Sequence, residues 1–166
     1  GMKSSNFSVA ELLNSKDAAK GYSTKDGTNT RQEYRNLDAV GPAGSINSNI
    51  TDMLQWVKFH LGDGKVNEKQ VLSKAELTHL HRPQMLMNIP AQAQNPELGE
   101  PSYALGWFTY SYRNLKAVEH GGNIDGFSAL VYMLPEKDFG LVILSNQNAA
   151  GINSVLARYA SDLILE

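Results

Sequence analysis

The stretch "AVEHGGNIDGFSALVYMLPEKDFGLVILSNQN", residues 117–148, decides the fold. It reads as two strands joined by a turn, and its entrance is a charged residue, a histidine and two glycines, Glu119 to Gly122. Alone, His-Gly-Gly before a strand marks a tight turn beside a solvated or core-packed imidazole. What His120 is for has to come from its surroundings.

Immediately upstream, "YALGWFTYSY", a turn at "RN" and then "LKAVE" have the same β character, so four strands follow in series as an antiparallel meander. Downstream, "INSVLARYASDLIL" puts Ile152, Val155, Leu156, Tyr159 and Leu163 on one helical face, which is expected to cover the sheet. Further back, "SNITDMLQWVKFHLGDG" is the clearest helix. Ile50, Met53, Leu54, Val57 and Leu61 form its apolar stripe, Ser48 is its expected N-cap, and Gly62 and Gly64 end it. "LSKAELTHLHRPQ" opens on a capping box, Ser73 and Glu76, and Pro83 follows its end. Residues 3–47 read mostly as loop with one helical turn around "SVAELLN", and 84–101 as a long polar loop. Helices, then strands, then a helix make an α+β chain.

The bulk numbers exclude several classes of function. The 166 residues are 42% hydrophobic, enough for one globular unit with a real core. Fifteen basic and 17 acidic residues leave a net charge of −2 without a basic stripe, so nucleic acid and anionic membrane surfaces are poor partners. No cysteine is present, which removes disulfides, thiolate metal sites and a cysteine nucleophile. No apolar run reaches the ~18–20 residues of a membrane span. His79 and His81 are two apart and do not share a helix face, and His60 reads as a cation at a helix C-terminus, so neither a metal site nor a cofactor is expected. Trp56 borders an apolar stripe and reads as a packing residue.

Several stretches together resemble the C-terminal half of the serine β-lactamase and penicillin-binding-protein superfamily, in its class C-like branch of esterases and D-aminopeptidase-like hydrolases. "GMKSSNFS" resembles the residues after that family's "PLGM" turn, and "AAKGY" its "A-x-GY". "GPAGSINSNITDMLQW" is similar to "PAGG-x-x-S-x-x-D-M-x-x-W". The most specific match is "YALGW" followed by "HGGNIDGFSALVYMLPEKDFGLVILSN", against "YGLGW…HGG…GF-x-S…P-x-x-x-x-G-x-V-x-L-x-N".

The resemblance implies a partial β-lactamase/transpeptidase-like fold and a role for the opening tripeptide. That superfamily surrounds one serine with Ser-x-x-Lys, a Tyr-x-Asn or Ser-x-Asn, and a Lys-Thr-Gly that this branch often writes His-x-Gly. His120, Gly121 and Gly122 occupy the third motif. By this resemblance His120 positions the second motif's hydroxyl or holds a substrate carboxylate, and Gly121 and Gly122 let an acyl group lie along the strand edge. The amide of Asn123 joins the oxyanion hole. The substrate is then a small acyl compound: a β-lactam, a D-amino-acid peptide or an ester. The resembled family is typically bacterial and often periplasmic or held at the cell envelope.

No serine here has a lysine three residues on, so the nucleophile motif is absent. Tyr34-Arg35-Asn36, Tyr112-Arg113-Asn114, Ser4-Ser5-Asn6 and Ser45-Ile46-Asn47 fit the second motif's pattern but follow segments that come after it in the family. The chain is therefore expected to be a C-terminal fragment, inactive by itself: one unit over residues 2–166, with loops and helices over 2–100 and strands plus the last helix over 101–166. Its strand at 141–145 would then have an open edge, to be paired with a second copy or covered by the C-terminal helix. The competing expectations are a non-catalytic binding or structural remnant, and a small independent enzyme using Asp125 or Glu119 with His120.

Overall fold

The computed structural model describes residues 1–88 and 97–166. The helices are α1 (Val9–Leu13), α2 (Gly41–Gly44), α3 (Ile50–Leu61), α4 (Lys74–Leu80) and α5 (Ile152–Leu165). The strands are β1 (Gly21–Lys25), β2 (Thr28–Gln32), β3 (Lys65–Val66), β4 (Lys69–Gln70), β5 (Met85–Leu86), β6 (Ser102–Tyr103), β7 (Phe108–Tyr112), β8 (Leu115–Ile124), β9 (Phe127–Leu134) and β10 (Phe139–Ser145). Six of them form one meander sheet in the order β10-β9-β8-β7-β6-β5, and the other four form two hairpins, β1-β2 and β3-β4.

The chain forms two compact units: Gly1–Leu54 with Gly121–Leu130 and Val142–Glu166, and Gln55–His120 with Val131–Leu141. The second holds the larger apolar core, in which Tyr112, Ala117, Val118, Tyr132, Met133 and Leu134 are at most 1% exposed. Its β7–β8 turn has Arg113 and Asn114 at φ 48° and 64°, the left-handed pair that matches strand twist, and the ladder runs from Tyr112↔Leu115 to Phe108↔Glu119. A Cβ on Gly140 would stand 2.3 Å from Val57 Cγ1, so glycine is what lets α3 lie this close to the first residues of β10.

In the first unit, Tyr22 ties β1 to two other segments. Its N–H donates to the carbonyls of Gly126 (3.1 Å) and Asn146 (3.0 Å), and its carbonyl accepts from Asn148 N–H at 2.8 Å. This gives "AAKGY" a physical reason, since a Cβ on Gly21 would stand 2.6 Å from the Asp125 carbonyl oxygen. Asp52 is 4% exposed and accepts from Ser4 N–H (2.7 Å) and Ser5 Oγ (2.8 Å). Burial pushes its carboxyl up, but the bonds from Ser5 and from the backbone of Lys3, Ser4 and Ser5 outweigh this and hold it below the usual range.

The α+β order, the α4 cap in which Ser73 accepts from Glu76 N–H, and the strand-rich second half agree with the sequence reading. Five details differ. Residues 3–47 contain the β1-β2 hairpin and α2 as well as the expected helical turn, because Asp26-Gly27 takes the left-handed turn at φ 50° and 75°. The N-terminus of α3 is held by Asn49, whose Oδ1 accepts from Asp52 N–H at 3.0 Å, rather than by Ser48. "YALGWFTYSY" is two strands, broken where Gly106 adopts φ 83°. "LKAVE" and His-Gly-Gly are one continuous strand, so His120 lies inside β8 rather than at the entrance to a strand.

The fifth difference concerns α5, whose buried positions are Asn153, Ala157 and Ser161 at 7%, 1% and 0% exposure. Small residues one turn apart permit close approach of the helix backbone, and Ser161 returns its hydroxyl to Ala157 O at 2.8 Å. The apolar residues expected to face inward, Ile152, Val155, Leu156, Tyr159 and Leu163, are exposed. Part of the 84–101 loop, residues 89–96, lies outside the described residues; before it, β5 pairs with β6.

Candidate functional site

His120 is exposed but not loose. Its Nε2 is 3.1 Å from the hydroxyl of Tyr103, and its ring stacks on Phe108 with centroids 5.2 Å apart and planes at 30°. Tyr103 in turn meets Phe108 edge-on at 4.8 Å. Strand register brings these residues together: Tyr103 pairs with Phe108 across β6–β7, and Phe108 pairs with Glu119, the residue before His120. The "YALGW" segment thus positions the imidazole, a link the sequence reading missed.

The next three residues of β8 have different constraints. A Cβ on Gly121 would lie 3.3 Å from the Ala129 carbonyl, whereas one on Gly122 would meet nothing within 4 Å among the described residues. Packing among the described residues therefore does not require glycine at 122. Asn123 is anchored by its side chain: Oδ1 accepts from Ser128 Oγ at 2.6 Å and from Ala149 N–H at 2.9 Å. Ser128 shares its single hydroxyl hydrogen between Asn123 Oδ1 and Gln147 O (2.7 Å), while its oxygen accepts from Ala150 N–H (2.9 Å). The end of β8 is thus pinned by a network that anchors Asn123 through its side-chain oxygen.

Asp125 is the first residue of the β8–β9 turn, at φ 40°, and both its oxygens lie 2.8 Å from Arg35 Nε. Its partner is this guanidinium, which does not suit a carboxylate assisting His120 as a base. The four Tyr-x-Asn and Ser-x-Asn matches have structural uses. Tyr34 stacks on Phe127 and donates to the Ala19 carbonyl, Tyr112 is buried beside a turn, Ser4 donates its backbone N–H to Asp52, and Ser45 Oγ donates to Gly41 O.

Arg35 and Asp125 also line a cavity of about 470 Å³ with Phe7, Ile50, Ile124 and Phe127. This volume suits an apolar substituent of a small molecule. Two of these residues, Ile124 and Asp125, directly follow Asn123 in the chain.

Away from His120, the structure reveals a histidine pair that spacing along the chain did not show. His60 of α3 and His81, the cap of α4, are 5% and 6% exposed, with His60 Nδ1 2.9 Å from His81 Nε2. Trp56, Phe59 and Trp107 surround His60 at ring distances of 4.4, 5.5 and 4.8 Å. Burial, then the charge of His81, lowers the His60 pKa to about 4. Burial, then Lys116, lowers that of His81 to about 4. The expectation of a charged His60 serving the helix terminus is overturned: both rings are neutral and pack as aromatics. Among the described residues no group of three or more His, Cys, Asp or Glu could hold a metal ion, and no helix is long and apolar enough to cross a membrane.

The beta-lactamase family model matches residues 1–164. Unguisins hydrolase ungD of Aspergillus violaceofuscus is 28% identical over 142 residues, covering 77% of this chain and 24% of that protein. Protein flp of Staphylococcus aureus is 24% identical over 155 residues, covering 90% of this chain and 27% of that one. Among solved structures, an octameric penicillin-binding protein homologue from Pyrococcus abyssi superposes with a TM-score of 0.82 at 24% identity, over 99% of this chain and 34% of the other. A class C beta lactamase from Rhodobacter sphaeroides gives 0.63 at 20%, over 99% and 50%. The chain spans about a quarter of the length of the curated relatives it matches.

Proposed function

The chain belongs to the beta-lactamase family, and from that premise we propose that it supplies the third-motif edge of a serine acyl-transfer site, with the serine and its neighbouring base coming from other polypeptide. The acyl carbonyl lies along β8 above Gly122. The serine oxygen adds to the carbonyl carbon, and the resulting oxyanion accepts from the Asn123 N–H and from the nucleophile's own N–H. Collapse breaks the bond to the leaving nitrogen or oxygen, and water then releases the acid from the serine ester. His120 provides a polar contact beside this path, to the second motif's hydroxyl or to a substrate carboxylate.

The observation that carries this reading is the space at Gly122, where a Cβ would meet none of the described residues within 4 Å, beside a strand end held through Asn123. The hydrolase among the relatives supports hydrolysis, and β-lactams, D-amino-acid peptides and esters are the substrate classes to try. A non-catalytic binding or structural role is the alternative, favoured by the lack of any Ser-x-x-Lys in the chain. We also infer self-association through the edge of β10, a reading supported by the octameric homologue and by the position of that strand at the end of the sheet.

Intact-mass spectrometry after incubation with a fluorophosphonate, and separately with a penicillin, tests the assignment. The isolated chain is expected to gain no adduct. A version completed by the relatives' serine-bearing segment should gain one equivalent and lose hydrolysis with His120→Ala. An adduct on the isolated chain would overturn the half-site, and a completed version that never reacts would favour the binding role.

A further inference from the structure

His60 and His81 meet end-on, and only one of them can donate. Their centroids stand 5.0 Å apart with planes at 29°, and His60 Nδ1 lies 2.9 Å from His81 Nε2, so a lone pair and an N–H face each other close to the ring planes. Each neutral ring carries one hydrogen, and the tautomers decide which side gives it. If His60 donated, both rings would need the Nδ1–H form; if His81 donates, both have the Nε2–H form that free histidine prefers. The other nitrogen of His60 points the same way. Nε2 is buried without a hydrogen-bond partner among the described residues, and the rings of Trp56, Phe59 and Trp107 stand across the imidazole at 75°, 84° and 70°. A bare lone pair there would be a strong acceptor stripped of water, whereas an N–H can lean on the electron-rich face of an aromatic ring. The bond therefore runs from His81 Nε2–H to His60 Nδ1.

We propose that this pair is a directed catch between α3 and α4, His81 donating to His60, that holds through its first proton and opens on its second. In this arrangement His60 has no lone pair to spare, since Nδ1 accepts the bond and Nε2 carries hydrogen. The first proton therefore goes to Nδ1 of His81, and the imidazolium so formed is a stronger donor across the same bond. The second proton has only His60 Nδ1 left. There it sets N–H against N–H and imidazolium beside imidazolium, and the contact parts. Burial resists both charges first; after it, His81 opposes charge on His60, and Lys116 of β8 opposes charge on His81. Glu136, whose carboxylate accepts from Lys116 N–H at 3.2 Å, favours the charge on Lys116.

Nitrogen NMR on the whole chain, labelled with ¹⁵N-histidine, reads each step. His79 and His120 are identified with His79→Gln and His120→Gln, and His60 by its proximity to Trp56. Near neutral pH both buried rings should carry hydrogen on Nε2, and a coupling through the hydrogen bond should link His81 Nε2 to His60 Nδ1. On acidification His81 should reach the imidazolium position first, with that coupling kept. The coupling should vanish as His60 charges, together with a loss of about tenfold or more in amide protection over α4. His81→Gln keeps an N–H to face His60 and removes the first proton's site, so His60 should stay in its Nε2–H form. A shared hydrogen bonded to His60 Nδ1 overturns the proposal. So does His60 charging first, a coupling lost with the first proton, or unfolding of the whole chain before either ring charges. If His81→Gln does not fold, the native spectra decide between these outcomes by themselves.

Discussion

Gly140 and Gly122 are both strand glycines, and the structure separates their reasons. A methyl group on Gly140 would be forced to within 2.3 Å of Val57 Cγ1 and 3.1 Å of Leu61 Cδ1, so Gly140→Ala is expected to destabilise by about 1–3 kcal/mol, read as a lower urea midpoint. Gly122→Ala meets no atom of the described residues and should leave stability within about 0.5 kcal/mol, while reducing acylation in a version that carries the nucleophile. If both variants unfolded at the same lowered midpoint, the glycine at 122 would belong to the fold rather than to the site. At this scale the sequence was informative about the motif and silent about its support. His120, Gly121, Gly122 and Asn123 stand out as a contiguous pattern, whereas the partners that hold them, Tyr103 and Ser128, are distant or unremarkable in sequence. A tyrosine in a strand and a serine after a turn carry no signal until register brings them together.

Among elements, the α3–α4 pairing has the clearest consequence for stability. His60 and His81 have folded pKa values of about 4 against an ordinary 6.5, so folding favours their neutral forms and the unfolded chain binds more protons between those values. Their contribution is complete above about pH 6.5 and is lost as pH falls towards about 4, each imidazole being worth on the order of 1–3 kcal/mol. Urea midpoints should therefore fall steeply from pH 6.5 to 4.5, and His60→Leu with His81→Leu should flatten that slope. An unchanged slope in the double variant would show that other groups set the acid limit. Periodicity identified both helices correctly, because apolar spacing is a local property. It could not pair their histidines, 21 positions apart, and so assigned His60 to water and charge. The same limit explains α5. Its strongest apolar stripe is real, but burial went to the face whose small side chains allow the closest approach, Ala157 and Ser161.

For the whole molecule, that choice leaves Val155 (60%), Tyr159 (62%) and Leu163 (56%) exposed on α5, and Leu144 (41%) on the edge strand β10. Apolar surface of this kind promotes association. Sedimentation is expected to show self-association that rises with concentration, and Tyr159→Glu with Leu163→Lys should weaken it without a loss of more than about 0.5 kcal/mol in stability. A monodisperse monomer at high concentration would remove the argument. The α+β class and the meander could be read from the sequence because each strand is short and bounded by turn residues. The division into two compact units could not, since it depends on which distant segments share a core.

Both tryptophans of the chain, Trp56 and Trp107, have rings within 5 Å of the His60 ring, at 4.4 and 4.8 Å. Imidazolium quenches indole emission on contact and neutral imidazole does so far less, so all of the protein's tryptophan light originates beside one titrating pair. Acidification should dim the emission before its colour shifts to the red, separating the arrival of a proton from the exposure of the indoles to water. The folded chain thus carries a built-in optical gauge of its own buried acidity.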